Sequence, residues 1–120
     1  MRNTNITILS GADTGNVTGS SIDANQLVSA SFQVVTGDVT AAGTVKIQMS
    51  NDVCGYGNVA ANFTPTNWTD IASASVAVAS GVAANPIVIN QMCFRWIRAV
   101  YTRTSGGSTT ITVQMNALGV

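Results

Sequence analysis

The sequence has 120 residues, of which 46% are hydrophobic and only 8% are charged, and its formal net charge is zero. A chain of this length can bury one core without extra cross-links, so we predict a single domain over residues 1–120. The even balance of basic and acidic residues argues against nucleic-acid binding. No apolar run approaches the roughly 18 residues of a membrane-spanning helix, so no membrane contact is expected.

Apolar residues recur at every second position, which is typical of β-strands with one buried face. The first predicted strand covers residues 3–9, with Ile6 and Ile8 inward. It lies in a segment, residues 1–25, that we expect to be an extended arm or an edge strand. Two clearer strands follow, and their inward residues are Val28, Ala30, Phe32 and Val34 in one and Val45, Ile47 and Met49 in the other.

Residues 51–71 show no sustained period and are much longer than an ordinary hairpin loop. Long loops in compact domains are usually functional or disordered. This loop contains Tyr56, Phe63 and Trp68, which favours a packed or contact-making loop. The three aromatics could form a sugar-stacking platform or a subunit anchor. The alternative is that Trp68 caps the core.

Further strands are predicted over residues 73–79, 86–90 and 93–102, and a last strand has Ile111, Val113 and Met115 inward. Turn residues separate them, as in Ser105-Gly106-Gly107. Seven or eight short strands with this spacing predict an all-β fold, a single two-sheet antiparallel sandwich. We expect it to be jelly-roll-like, with an immunoglobulin-like sandwich as the alternative.

The chain contains no His and no Glu, so the commonest general base and the commonest metal ligand are missing. The five Asp residues all lie at turn or loop positions, where their side chains can accept local backbone hydrogen bonds. No nucleophile motif is present. We therefore expect no enzymatic activity, no catalytic residues, no cofactor and no metal site.

Two cysteines, Cys54 and Cys93, leave three possibilities open. They could form a disulfide that ties the long loop to the strand beginning near residue 93, they could be two buried thiols, or one could be reactive. Cytoplasmic synthesis disfavours a disulfide, but an extracellular particle would permit one later.

Two arginines, Arg95 and Arg98, occupy an otherwise apolar strand, so their guanidinium groups must be exposed or paired. Asp52 and Asp70 are the candidate partners, and we expect structural ion pairs rather than a ligand site.

Three segments carry a family resemblance: residues 48–52 (QMSND), residues 67–71 (NWTDI) and residues 93–104 (CFRWIRAVYTRT) followed by Ser105-Gly106. With the tail at residues 113–119, they resemble small β-sandwich virion proteins of tailed bacteriophages, over roughly residues 27–120. The first part is also similar to discoidin-type jelly rolls, a family that often binds carbohydrate.

The resemblance and the low charge together predict a structural component of a tailed-phage virion, such as a capsid decoration (cement) protein or a small head or tail accessory protein. Its expected partners are copies of itself, with a trimer as the assumed oligomer, and other virion proteins such as the major capsid protein. Synthesis is expected in the bacterial cytoplasm, before incorporation into the virion. A carbohydrate- or receptor-binding module is the alternative.

Overall fold

The computed structural model describes residues 2–36, 40–53, 63–79 and 86–119. Within them the chain forms strands only, and no helix is long and apolar enough to cross a membrane. The strands in chain order are β1 (Arg2–Ala12), β2 (Val17–Thr18), β3 (Ile22–Asp23), β4 (Leu27–Thr36), β5 (Ala42–Ser50), β6 (Thr69–Ala79), β7 (Ile87–Ile89), β8 (Trp96–Ser105) and β9 (Thr110–Gly119).

The strands form two antiparallel sheets. One sheet has four strands in the order β1-β9-β4-β7. The other has five: β2, β8, β5 and β6 lie side by side in that order, and β3 also pairs with β8. If β2 and β3 are counted as one interrupted strand, the eight strands have the order of a jelly roll. The predicted two-sheet sandwich is confirmed. The immunoglobulin-like alternative is not confirmed, because an immunoglobulin-like sandwich divides its strands between the two sheets in a different way.

The core lies between the two sheets and is built by alternate residues of the long strands. Its largest fully buried side chains include Phe32, Ile47, Ile97, Tyr101, Ile111 and Met115. The four-stranded sheet contains a bulge at Ile8, where the register shifts between Thr7 and Leu9. Ile8 and Leu9 are consequently both buried although they are adjacent in sequence.

Local irregularities explain where the structure departs from the predicted pattern. The two-residue strands β2 and β3 are too short to show a period, and the sequence did not predict them. β6 begins at Thr69, so the predicted loop over residues 51–71 ends three residues earlier than its pattern suggests. Val28 was expected to point inward but is exposed, because the register shifts between Leu27 and Ser29.

The edges of the two sheets differ in length and regularity. β1 is an eleven-residue edge of the four-stranded sheet, whereas β7 at the opposite edge has three residues. In the five-stranded sheet, β6 forms one edge and is interrupted by a register shift opposite Lys46 and Gln48. Within this bulge Ser73 has a left-handed backbone, with φ of 63°.

Candidate interaction surfaces

Asp52 joins the beginning of the long loop to its end. One carboxylate oxygen, Oδ2, accepts hydrogen bonds from the backbone N–H groups of Thr66 and Asn67, at 2.7 and 3.0 Å. The other, Oδ1, accepts one from Nδ2 of Asn67 at 3.0 Å. The backbone bonds from Asn67 and Thr66 lower the pKa of Asp52, because they stabilise the charged form. The two ends of the loop are therefore held together.

Phe63 and Trp96 pack together where the loop crosses the five-stranded sheet. Their ring centroids are 5.6 Å apart, and Nε1 of Trp96 donates to the carbonyl oxygen of Asp52 at 3.2 Å. Trp96 is only 3% exposed. It precedes the inward-facing Ile97, so its side chain lies on the outer face of the sheet. The loop thus covers Trp96 outside the core between the sheets.

Trp68 lies on the same outer face but has a different neighbour. The guanidinium group of Arg98 is 4.3 Å from the centroid of its ring, and Nε1 donates to the carbonyl oxygen of Pro65 at 3.3 Å. The ring is half-buried and does not belong to the core cluster. Phe63 thus contacts Trp96, whereas Trp68 contacts Arg98. Tyr56, the third aromatic of the predicted interaction loop, lies outside the described residues.

A chain of polar contacts continues from Trp68 across the sheet, and we call it the polar ladder: Trp68, Arg98, Gln48, Asp70 and Lys46. Nε of Arg98 donates to Oε1 of Gln48 at 2.8 Å. Nε2 of Gln48 donates to Oδ1 of Asp70 at 2.8 Å, and Nζ of Lys46 donates to Oδ2 at 3.1 Å. The bonds from Gln48 and Lys46 lower the pKa of Asp70, whereas burial lowers that of Arg98.

The expected ion pairs of the two arginines are corrected by these contacts. Arg95 pairs with Asp23 rather than with Asp52 or Asp70, because β3 places Asp23 opposite Trp96 on β8. Arg95 also lies over the ring of Trp96. Arg98 reaches Asp70 only through Gln48. A two-residue strand gives no periodic signal, which is why the sequence did not identify Asp23.

Cys93 is exposed. Its candidate disulfide partner, Cys54, lies outside the described residues, so the pairing stays a prediction. Among the described residues, no three His, Cys, Asp or Glu side chains are grouped as metal ligands.

The outer face of the four-stranded sheet is uncharged, and we call it the amide face. Its side chains form rows across β1, β9, β4 and β7: Asn5, Asn116, Ser31 and Val88 in one row, Thr7, Gln114 and Gln33 in the next, and Asn3, Leu118, Ser29 and Asn90 on the other side. None of these described side chains is charged. The charged groups of the polar ladder lie on the opposite sheet.

The amide face contains a shallow depression of about 260 Å³. Asparagine and serine side chains line most of it, and Val88 and Leu118 supply apolar surface. The sequence pattern predicted these residues only as the polar side of strands, since alternation does not show which polar residues meet across strands.

Asp13 is a further position whose role the sequence did not show. It was expected to bond local turn backbone, but its side chain is fully buried and bonds distant residues. Its carboxylate accepts from Oγ1 of Thr36 at 2.8 Å and from the backbone N–H of Thr109 at 3.0 Å. It therefore ties the end of β1 to β4 and to the turn before β9.

This jelly roll has a counterpart among solved structures. Its fold resembles that of the SPBc2 prophage-derived protein YomS. The crystal structure of YomS matches 97% of this chain and 92% of its own, with a TM-score of 0.58 and 9% sequence identity. No family model matches the sequence, and no curated protein matches it.

The likeness to YomS shows the fold and links it to a prophage-derived protein. At 9% identity it assigns no role to individual residues. The functional argument therefore rests on the two outer faces and on the edges of the sheets.

Proposed function

We propose that this chain is a non-enzymatic structural component of a tailed-phage virion, a capsid decoration (cement) protein or a small head or tail accessory protein that acts through subunit contacts. The amide face is the observation that carries the proposal. An amide side chain is both a donor and an acceptor, so such a face can pair with another neutral surface. Burying it requires no charge to be removed from water, which is the costly step at an interface.

Two further observations support a virion role. The fold resembles that of a prophage-derived protein over nearly the whole chain. With only 8% charged residues, the surface gives little electrostatic repulsion between copies, which suits a subunit of an assembly. The proposed partners are further copies of the chain and other virion proteins, including the major capsid protein. The proposed location is the virion.

Purified particles of the phage that encodes the chain provide the first test. Mass spectrometry should detect the protein at a fixed copy number, and a cryo-EM map should place it on the head or tail. Particles from a deletion strain should lose heat resistance and regain it when purified protein is added back. Absence of the protein from intact particles would overturn the proposal.

Two lysine variants test the amide face itself. Gln114→Lys places a charge in the middle of this face, and Thr44→Lys places the same charge at an exposed position of the five-stranded sheet. Both variants should keep the wild-type melting temperature to within a few degrees, since surface changes cost about 0.5 kcal/mol or less. Thr44→Lys should bind deletion particles, and Gln114→Lys should not. Equal binding by both would exclude the amide face as the contact.

A carbohydrate-binding module is the second candidate, and the depression on the amide face favours it. Its Asn and Ser groups suit the hydroxyls of a neutral saccharide. Neutral oligosaccharides should then bind in a calorimetric titration, and Asn116→Ala should abolish binding without unfolding the protein. Loss of binding in Trp68→Ala but not in Asn116→Ala would place the sugar on the long loop instead.

A further inference from the structure

The edge of β1 is open over residues 2–7, and residues 3–7 within it are uncharged. Residues 2–7 pair with β9 from Arg2 opposite Gly119 to Thr7 opposite Gln114, without a register shift. β1 is the last strand of its sheet, so the backbone groups on its other side point away from the sheet. Beyond Thr7 the open side is covered, since the backbone N–H of Ser20 donates to the carbonyl oxygen of Ile8 at 3.1 Å.

Residues 3–7 of β1 have none of the features by which natural proteins usually protect an edge strand. Residues 3–12 (NTNITILSGA) contain no charge and no proline. Charged side chains, proline, short strands and bulges normally prevent one edge from pairing with another. The segment over residues 2–7 is also free of a bulge.

The other described edges are protected. β7 has three residues, and β2 and β3 have two each. β6 is long, but its bulge contains the left-handed Ser73, and Lys46 and Asp70 lie beside it. Among the described edges, only this part of β1 is both open and unprotected.

We propose that β1 pairs antiparallel with β1 of a second copy of this chain, so that the two four-stranded sheets become one eight-stranded sheet. Opposite residues of an antiparallel pair lie on the same face. With Asn5 opposite its own copy across a twofold axis, Asn3 faces Thr7 on the outer side. On the inner side Thr4 faces Ile6.

This register is self-complementary. Asn5 can donate to and accept from its own copy, whereas a charged residue at the axis would face a like charge. With Asn5 at the axis, residues 3–7 of each strand lie opposite one another and provide about four to six backbone hydrogen bonds. Ile6 is only partly buried in one copy, and the paired strand covers more of its side chain. The amide faces of both copies become one continuous neutral surface.

The pairing rests on the proposed function in one respect, since it specifies how a virion subunit meets its copy. It gives a twofold dimer in place of the trimer that was assumed without a sequence signal.

Light scattering after size exclusion tests the pairing on the purified full chain. At about 50 µM the wild type should have twice the chain mass of 12.3 kDa. Asn5→Lys and Asn5→Asp should each weaken dimerisation about tenfold or more, because like charges meet at the axis. An equimolar mixture of the two variants should restore the dimer mass. Ser75→Lys, a change at an exposed residue on the β6 edge, should leave the dimer unchanged.

A monomeric or trimeric wild type would overturn the pairing, and so would a dimer that Asn5→Lys does not weaken. A mixture that stays monomeric would exclude the register with Asn5 at the axis. None of these outcomes affects the detection of the protein in purified virions, so a failure of the pairing and a failure of the proposed function are distinguishable.

Discussion

The guanidinium group of Arg98 lies 4.3 Å from the centre of the Trp68 ring, and the same arginine donates to Gln48. Trp68 stands immediately before β6, and Arg98 is in β8, so this contact attaches the end of the long loop to the sheet beneath it. Asp52 attaches its beginning to the same point through Thr66 and Asn67. Two independent contacts therefore fix the described parts of the loop.

The two tryptophans should respond differently to removal. Trp68→Ala loses a half-exposed cation–π contact and should lower the free energy of unfolding by about 1 kcal/mol. Trp96→Ala leaves a cavity beneath Phe63 and should lower the free energy of unfolding by about 3–5 kcal/mol. Urea unfolding followed by circular dichroism measures both. Equal losses would mean that Trp68 packs as a core residue.

Asp52 should make stability depend on acid pH. Its pKa is lowered in the folded chain by hydrogen bonds from the Asn67 and Thr66 backbones. Its stabilising contribution is therefore fully present above its unfolded pKa of about 3.9 and is lost as the pH falls through the lower folded pKa. The urea midpoint of wild type should exceed that of Asp52→Asn by a constant amount from about pH 5 to 7, and the difference should shrink below about pH 4. A difference that persists unchanged to pH 2 would contradict this assignment.

Among single substitutions outside the apolar core, removal of the buried Asp13 carboxylate should cause one of the largest losses in the free energy of unfolding. Asp13→Ala removes the carboxylate that accepts hydrogen bonds from the hydroxyl of Thr36 and from the N–H of Thr109, and we expect the free energy of unfolding to fall by about 3 kcal/mol. Thr36→Val removes only one donor and should cost about 1 kcal/mol. Thermal and urea unfolding of both variants provide the comparison. A cost for Asp13→Ala below that of Thr36→Val would contradict the structure.

The turn between β8 and β9 requires glycine at residue 106. Gly106 has φ of +71°, and a Cβ there would overlap the carbonyl oxygen of Thr40. Gly106→Ala should therefore destabilise the fold by about 2 kcal/mol. Gly15→Ala is the matched control, because a Cβ there meets nothing within 4 Å, and its effect should stay within about 0.5 kcal/mol. Melting temperatures distinguish the two.

The sandwich could be predicted from sequence because alternation is a direct signature of a strand with one buried face. Phe32, Val34, Val113 and Met115 follow this rule and are buried as expected. The rule fails where the backbone departs from a regular pleat. A bulge buries Ile8 and Leu9 together, and a register shift exposes Val28.

The candidate interaction surfaces were less predictable, because they depend on which strands are neighbours. The sequence singled out Phe63, Trp68, Arg95 and Arg98, and the structure gives each a specific contact. Only the strand order reveals that Asp23 lies beside Arg95 and that the polar sides of β1, β9 and β4 join into one neutral face. Long-range pairing of this kind leaves no local pattern.

The position of β9 has a consequence for biosynthesis. β9, the last strand among the described residues, lies between β1 and β4, which precede it in the chain. The four-stranded sheet therefore cannot close until residues 110–119 have left the ribosome. Until then β1 lacks the strand with which it pairs, and an unpaired strand edge is prone to aggregate.

Pairings between distant parts of a chain also form slowly. A chain that lacks residues 110–119 is consequently expected to aggregate more readily than the full chain. Removal of residues 110–119 should therefore leave β1 and β4 without the strand that lies between them.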